Sequence, residues 1–175
     1  MKASVILSIV WLIIFLLTCK TNIAENFWGK GRSVIGKEYY RFITAGLLHT
    51  NIIHVLGNVY MILWLGKRYE SYIGSWKYLS IGGVGAILTS FIFLCIYNNA
   101  QSSYGGSAVV YTIAGFILVS QFVNLQFPVL DQKWMVFYLL IYNIPILTNM
   151  GWGTVTYHII ALSLGVVVGA LEKLI

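Results

Sequence analysis

Charge is what this sequence has least of. Lys, Arg, Asp and Glu make up 9% of its 175 residues, against about 25% in an ordinary soluble domain. Tyr78 to Leu130 contains no charged residue, and neither does Trp134 to Leu171. Each of these runs is long enough for two membrane spans of about 20 residues. An aqueous fold is thereby excluded, and the chain reads as an all-α membrane protein. Cysteine is nearly as scarce: Cys19 and Cys95 sit at the ends of apolar segments without C-x-x-C spacing, so both are read as structural and no disulfide is expected. There is no H-E-x-x-H pattern either, and no cofactor or metal is expected. The net charge of +6 is scattered over connecting segments. It forms no basic stripe with interleaved aromatics, so nucleic acid is not an expected partner and the membrane surface is.

What is present in abundance is apolar sequence, 59% of the chain. Hydropathy and breakers predict six spans in one domain, residues 1–175, at approximately Ala3 to Cys19, Thr44 to Leu65, Tyr78 to Tyr97, Ser107 to Val123, Trp134 to Leu147 and Thr154 to Leu171. The first resembles a signal peptide, and "LLTC" resembles a lipoprotein cleavage box. Its apolar stretch is long for either, and Thr18 is a poor small residue before a cut, so it is read as the first transmembrane helix. The connection after it mixes Lys and Arg with Phe27, Trp28, Tyr39 and Tyr40, a composition suited to the membrane interface. Basic residues are nearly balanced between the two sides and do not fix the orientation. Six spans do fix parity: the second, fourth and sixth begin on the same side.

All three histidines lie on those even spans. His49 and His54 fall in the first half of the second, His158 near the start of the sixth, and Ser107 opens the fourth. A lone serine in a membrane helix is ordinarily an N-cap or a packing residue. A helix N-terminus, however, presents unpaired N–H groups and positive potential that stabilise an oxyanion, and Gly105 and Gly106 allow close backbone approach. A serine nucleophile needs a base, for which His158 is the candidate. Ala161, Gly165 and Gly169 follow it on one small-residue face that permits tight packing, and Tyr111, one turn below Ser107, is placed to pack on the imidazole. No aspartate completes a triad, since Asp131 is expected on the opposite side, leaving a Ser-His dyad. His54 and Asn58, four apart on one helical face, are candidate oxyanion donors, with Asn51 a turn earlier. Glu70 is read as capping backbone donors or pairing locally. The rival readings are zinc held by His49, His54 and His158, and a proton relay through His54 and His158.

These residues resemble the rhomboid intramembrane serine proteases, over Arg41 to Gly169. "RFITAGLLHTNIIHVLGN" is similar to the family's second-helix signature through Arg41, Thr44, His49, His54 and Asn58. "LGKRYESYIG" resembles its G-x-x-x-E-x-x-x-G element, "GGSAVVYTIAG" its nucleophile motif and "HIIALSLG" its last-helix histidine. The resemblance implies a six-transmembrane-helix bundle, Ser107 as nucleophile, His158 as base, and His54 and Asn58 as oxyanion donors. It gives supporting roles to Gly105, Tyr111 and His49. It further implies an embedded first loop, entry past a mobile fifth helix, and transmembrane protein substrates. The expected location is a bacterial inner membrane, the chain being multi-pass in the lipid bilayer. Two positions depart from the pattern: Ala108 replaces the usual glycine after the serine, and Tyr40 replaces the usual tryptophan before the arginine. The alternative reading is a catalytically silent relative that binds transmembrane clients.

Overall fold

The computed structural model describes residues 2–31, 36–97, 102–123, 133 and 151–172. Its helices are α1 (Ala3–Thr18), α2 (Arg41–Thr44) running into a 3-10 turn at Ala45–Leu47, α3 (Ile52–Ile73), α4 (Ser75–Tyr97), α5 (Ser107–Val123) and α6 (Trp152–Leu171). The described residues form no strand beyond an isolated antiparallel bridge between Gly29 and Ser103. α4 and α6 are each long and apolar enough to cross a membrane, and α2 with α3 passes the same test as one bent unit. The protein is therefore an all-helical membrane protein. The expected fifth span, Trp134 to Leu147, lies outside the described residues, as does Asp131.

The second span differs from expectation. It was expected as one helix from Thr44 to Leu65, but the chain turns by 90° between α2 and α3. Leu48 is extended, and the Asn51 side chain caps α3 by accepting the His54 N–H at 2.8 Å. A helix-capping residue here outcompetes helix continuation through the apolar pattern. His49 consequently sits in the break and not on the helix. At its other end α3 runs on past Leu65 through Lys67, Arg68 and Glu70. It does so because the Glu70 carboxylate is buried and accepts from Ala3 N–H (2.5 Å), Ser4 N–H (3.2 Å), Ser4 Oγ (2.6 Å) and Ser75 Oγ (2.6 Å). One carboxylate thus caps the N-terminus of α1 and ties it to the end of α3, which orients the two helices antiparallel.

α5 and α6 pack with their backbones in contact. The missing Cβ of Gly115 leaves room for the Leu162 carbonyl, that of Gly165 for the Thr112 carbonyl, and that of Gly169 for the Phe116 carbonyl. The Thr112–Gly165 and Phe116–Gly169 contacts advance together along both helices, so α5 and α6 run parallel, as the parity of the spans requires. Two turns back from Gly165, His158 meets Tyr111 of α5, one turn below Ser107. α4 closes against α6 through Ser90 and Tyr157 hydroxyls at 3.0 Å, Tyr97 and Thr156 at 2.9 Å, and an ion pair of Lys77 with Glu172.

α1 and α5, of 16 and 17 residues, measure about 24 to 26 Å at 1.5 Å per residue, less than the roughly 30 Å hydrocarbon core. At the N-terminus of α5, Ser103, Gly105, Gly106 and Ser107 are all buried in protein. Irregular backbone at membrane depth is tolerated under that condition.

Substitution separates the packing glycines from the free ones. Gly165→Ala forces a methyl into the α5 backbone and is expected to lower stability by about 1–3 kcal/mol or more. Gly83, where an added Cβ meets nothing within 4 Å, is expected to gain about 0.4–1 kcal/mol as alanine. Reversible unfolding in mixed micelles measures both.

Candidate active site

Ser107 is the first residue of α5, so its own N–H and those of the next residues have no partner within the helix; the first bond of the ladder is Val110 N–H to the Gly106 carbonyl, at 3.2 Å. The loop leading into it is held from both sides. Gly29 and Ser103 exchange backbone bonds at 2.8 and 2.9 Å, and Gly105 N–H donates to the Ala45 carbonyl at 2.9 Å. Gly105 has φ of +114°, in the region that disfavours any residue with a Cβ. A Cβ there would also lie 2.7 Å from His54 Cε1, 3.0 Å from its Nε2 and 3.5 Å from Ser107 Oγ. The His54 imidazole and the Ser107 hydroxyl therefore flank one small volume that only glycine leaves open.

Gly106 plays a different part from the one its position suggests. The space beside its Cα is filled by the Trp11 indole, so its missing side chain serves the packing of α1 and not the approach of a substrate. Trp11 is fully buried, donates from Nε1 to the Gly46 carbonyl at 3.2 Å, and meets the His49 ring edge-on at 5.5 Å. The sequence reading passed over it; its only signal was one bulky aromatic within an aliphatic run. The methyl of Ala108 is likewise buried in the core.

His158 is 2% exposed, and its ring lies parallel to that of Tyr111 at 4.2 Å between centroids and 7° between planes. Tyr111 thus fixes the orientation of the imidazole on α6 from a turn below Ser107 on α5. His54 lies 5.0 Å from His49 and 6.4 Å from Tyr104, ring to ring. One helical turn beyond His54, Asn58 is completely buried, and neither its Nδ2 nor its Oδ1 has a hydrogen-bond partner among the described residues. Both cysteines are free and exposed. Among the described residues no three His, Cys, Asp or Glu side chains are grouped to hold a metal ion.

The first loop is fastened by Arg41, a residue given no role by the sequence reading. Its Nη1 donates to the Glu25 and Trp28 carbonyls, both at 3.0 Å, and its Nε to Glu38 at 2.5 Å. That hydrogen bond holds the Glu38 carboxyl below its usual range. Thr44 Oγ1 adds a bond to the Phe27 carbonyl at 2.5 Å, and the Tyr40 hydroxyl one to the Asn26 carbonyl at 3.1 Å.

A buried serine at a helix start, a histidine stacked on tyrosine in a neighbouring helix, and a buried histidine and asparagine one turn apart define a cluster of buried polar residues in a helical membrane fold. Residues 36–173 match the model of the Rhomboid domain, and the chain belongs to the rhomboid family. It is 28% identical over 131 residues to RHOMBOID-like protein 7 of Arabidopsis thaliana, an alignment covering 73% of this chain and 38% of that relative. The chain thus spans well under half the length of the curated relative it matches.

The two loop glycines are expected to fail for different reasons. Gly106→Ala collides with the indole, so in a double-mutant cycle with Trp11→Phe its destabilisation is partly relieved. Gly105→Ala carries backbone strain of about 1–2 kcal/mol and an imidazole clash that Trp11→Phe leaves untouched. Unfolding free energies of the single and double variants in detergent test this.

Proposed function

We propose that the protein is an intramembrane serine endopeptidase, a single rhomboid-like domain of six transmembrane helices that cuts transmembrane protein substrates in or near the bilayer. The observation that carries this reading is the parallel, backbone-close packing of α5 on α6, with His158 stacked on Tyr111, one helical turn from Ser107. Ser107 Oγ attacks the scissile carbonyl, and His158 takes its proton and returns it to the leaving amine. The developing oxyanion is met by unpartnered N–H groups at the start of α5 and by His54 and Asn58. The orphaned Asn58 amide supports that assignment, because a buried donor without a partner is destabilising unless something binds it in function. Water resolves the acyl-enzyme. A bacterial inner membrane remains part of the proposal by family architecture, the matched relative being a plant protein.

A second reading is a silent relative that binds transmembrane clients; the feature favouring it is Ala108 where the family has glycine. Purified protein, Ser107→Ala and His158→Ala, each incubated with a transmembrane reporter and a fluorophosphonate, separate the two. The protease reading expects cleavage and labelling by wild type, both lost in Ser107→Ala. Folded wild type that neither cuts nor labels across several substrates and lipids would reverse the order of the two readings. Asn58→Ala is expected to lower kcat by about 10²–10³ while fluorophosphonate still reaches the serine.

A further inference from the structure

Behind the serine loop lies a cavity of about 160 Å³, between the C-terminal end of α1, the first loop and the break before α3. Thr18, Thr21, Asn22, Glu25 and Thr50 line it, together with Trp28 and His49. These last two carry ring nitrogens, Trp28 Nε1 and His49 Nδ1, that are buried and have no hydrogen-bond partner among the described residues. The Leu47 carbonyl approaches the imidazole but forms no hydrogen bond to Nδ1.

The tautomer of His49 follows from its other nitrogen. Nε2 accepts the Gly106 N–H at 3.2 Å, and a neutral imidazole that accepts at one nitrogen carries its proton on the other. His49 Nδ1 is therefore a donor, as Trp28 Nε1 always is. Two donors on one polar cavity call for an occupant that accepts, and the volume exceeds the roughly 30 Å³ share of one water several-fold.

We propose that this cavity is a structural water site: water accepts from His49 Nδ1–H and Trp28 Nε1–H, and thereby locks His49 in the tautomer that holds Gly106. His49 is then a positioning residue for the loop that ends in Ser107. Protonating the wrong nitrogen would turn Nε2 into a donor facing the Gly106 N–H and release the loop. Two edge-on rings keep the imidazole in plane, Trp11 at 5.5 Å and His54 at 5.0 Å. The effect on catalysis rests on the reading of Ser107 as nucleophile; the tautomer and the water do not.

The test is solid-state NMR of the full chain in lipid bilayers with ¹⁵N-labelled histidine and tryptophan. A protonated Nδ1 at His49, with exchange or magnetisation transfer to water at both His49 Nδ1–H and Trp28 Nε1–H, is the expected result. In Trp28→Phe the tryptophan signal disappears and the His49 contact with water persists. An Nε2–H tautomer, or a protonated Nδ1 without contact to water, overturns the proposal whatever the activity. For the positioning role, His49→Leu is expected to reduce fluorophosphonate labelling of Ser107 by about tenfold or more, and His49→Gln, which keeps an acceptor and a donor, to recover part of it. Equal labelling in folded His49→Leu and wild type overturns that role. If wild type never labels, the protease reading fails and the spectrum alone decides the water site.

Discussion

Everything in this structure depends on the missing side chains between α5 and α6. In a bilayer the lipid is as apolar as the helix surfaces, so helices gain little by simply hiding from solvent and associate by close packing and hydrogen bonds. Gly115, Gly165 and Gly169 let carbonyl groups of one helix fill the space where the other lacks a Cβ. Such a contact tolerates neither axial sliding nor rotation, because any shift drives backbone into backbone. The register is therefore rigid, and a residue two turns away inherits its precision. That is how His158 comes to lie parallel on Tyr111, one turn from Ser107. The hydroxyl pairs Ser90 with Tyr157 and Tyr97 with Thr156 add the opposite wall, anchoring α6 on α4.

Buried polar groups fall into two sets. Glu70 and Arg41 are well partnered: the carboxylate receives four donors and the guanidinium reaches three acceptors. Both join segments distant in sequence, the first fixing α1 on α3 and the second fixing the first loop on α2. Asn58, His49 and Trp28 keep unpartnered atoms, and all three lie around the serine loop or His54. An unpartnered buried atom is not by itself a functional mark, since Thr112 Oγ1, within α5, shares the property. A lone hydroxyl in helix packing is a smaller deficit than a whole amide with neither donor nor acceptor engaged. The clustering around one loop carries the distinction.

The parts of this arrangement legible in the sequence are those written in helical spacing. Ala161, Gly165 and Gly169 after His158, and Tyr111 one turn after Ser107, announced a packing face and a ring contact because a straight helix converts spacing into direction. The bend before α3 was not legible, since "AGLLHTN" holds no proline and no charge and only Asn51 signals a cap. Nor was the end of α3: Lys67, Arg68 and Glu70 read as the exit from the membrane, whereas the carboxylate is absorbed by donors from α1, far away in sequence. Gly106 was misjudged for the same reason. Its neighbour Trp11 comes from another helix, and no local pattern connects them.

The same distinction explains why one glycine of the serine loop is retained and another is not. Gly105 has a positive φ and faces His54, so a methyl group would be strained by the backbone and blocked by the imidazole together. Residue 108 lies one position after Ser107 in regular helix, turned about 100° away from it. Its methyl group is taken into the apolar core that also holds Val110 and Tyr111. In that setting alanine is a better helix former than glycine by about 1 kcal/mol, and it stiffens the turn whose unpaired N–H groups surround the serine. The departure from the family pattern thus falls where the fold can absorb it, and the position that cannot absorb a side chain keeps its glycine.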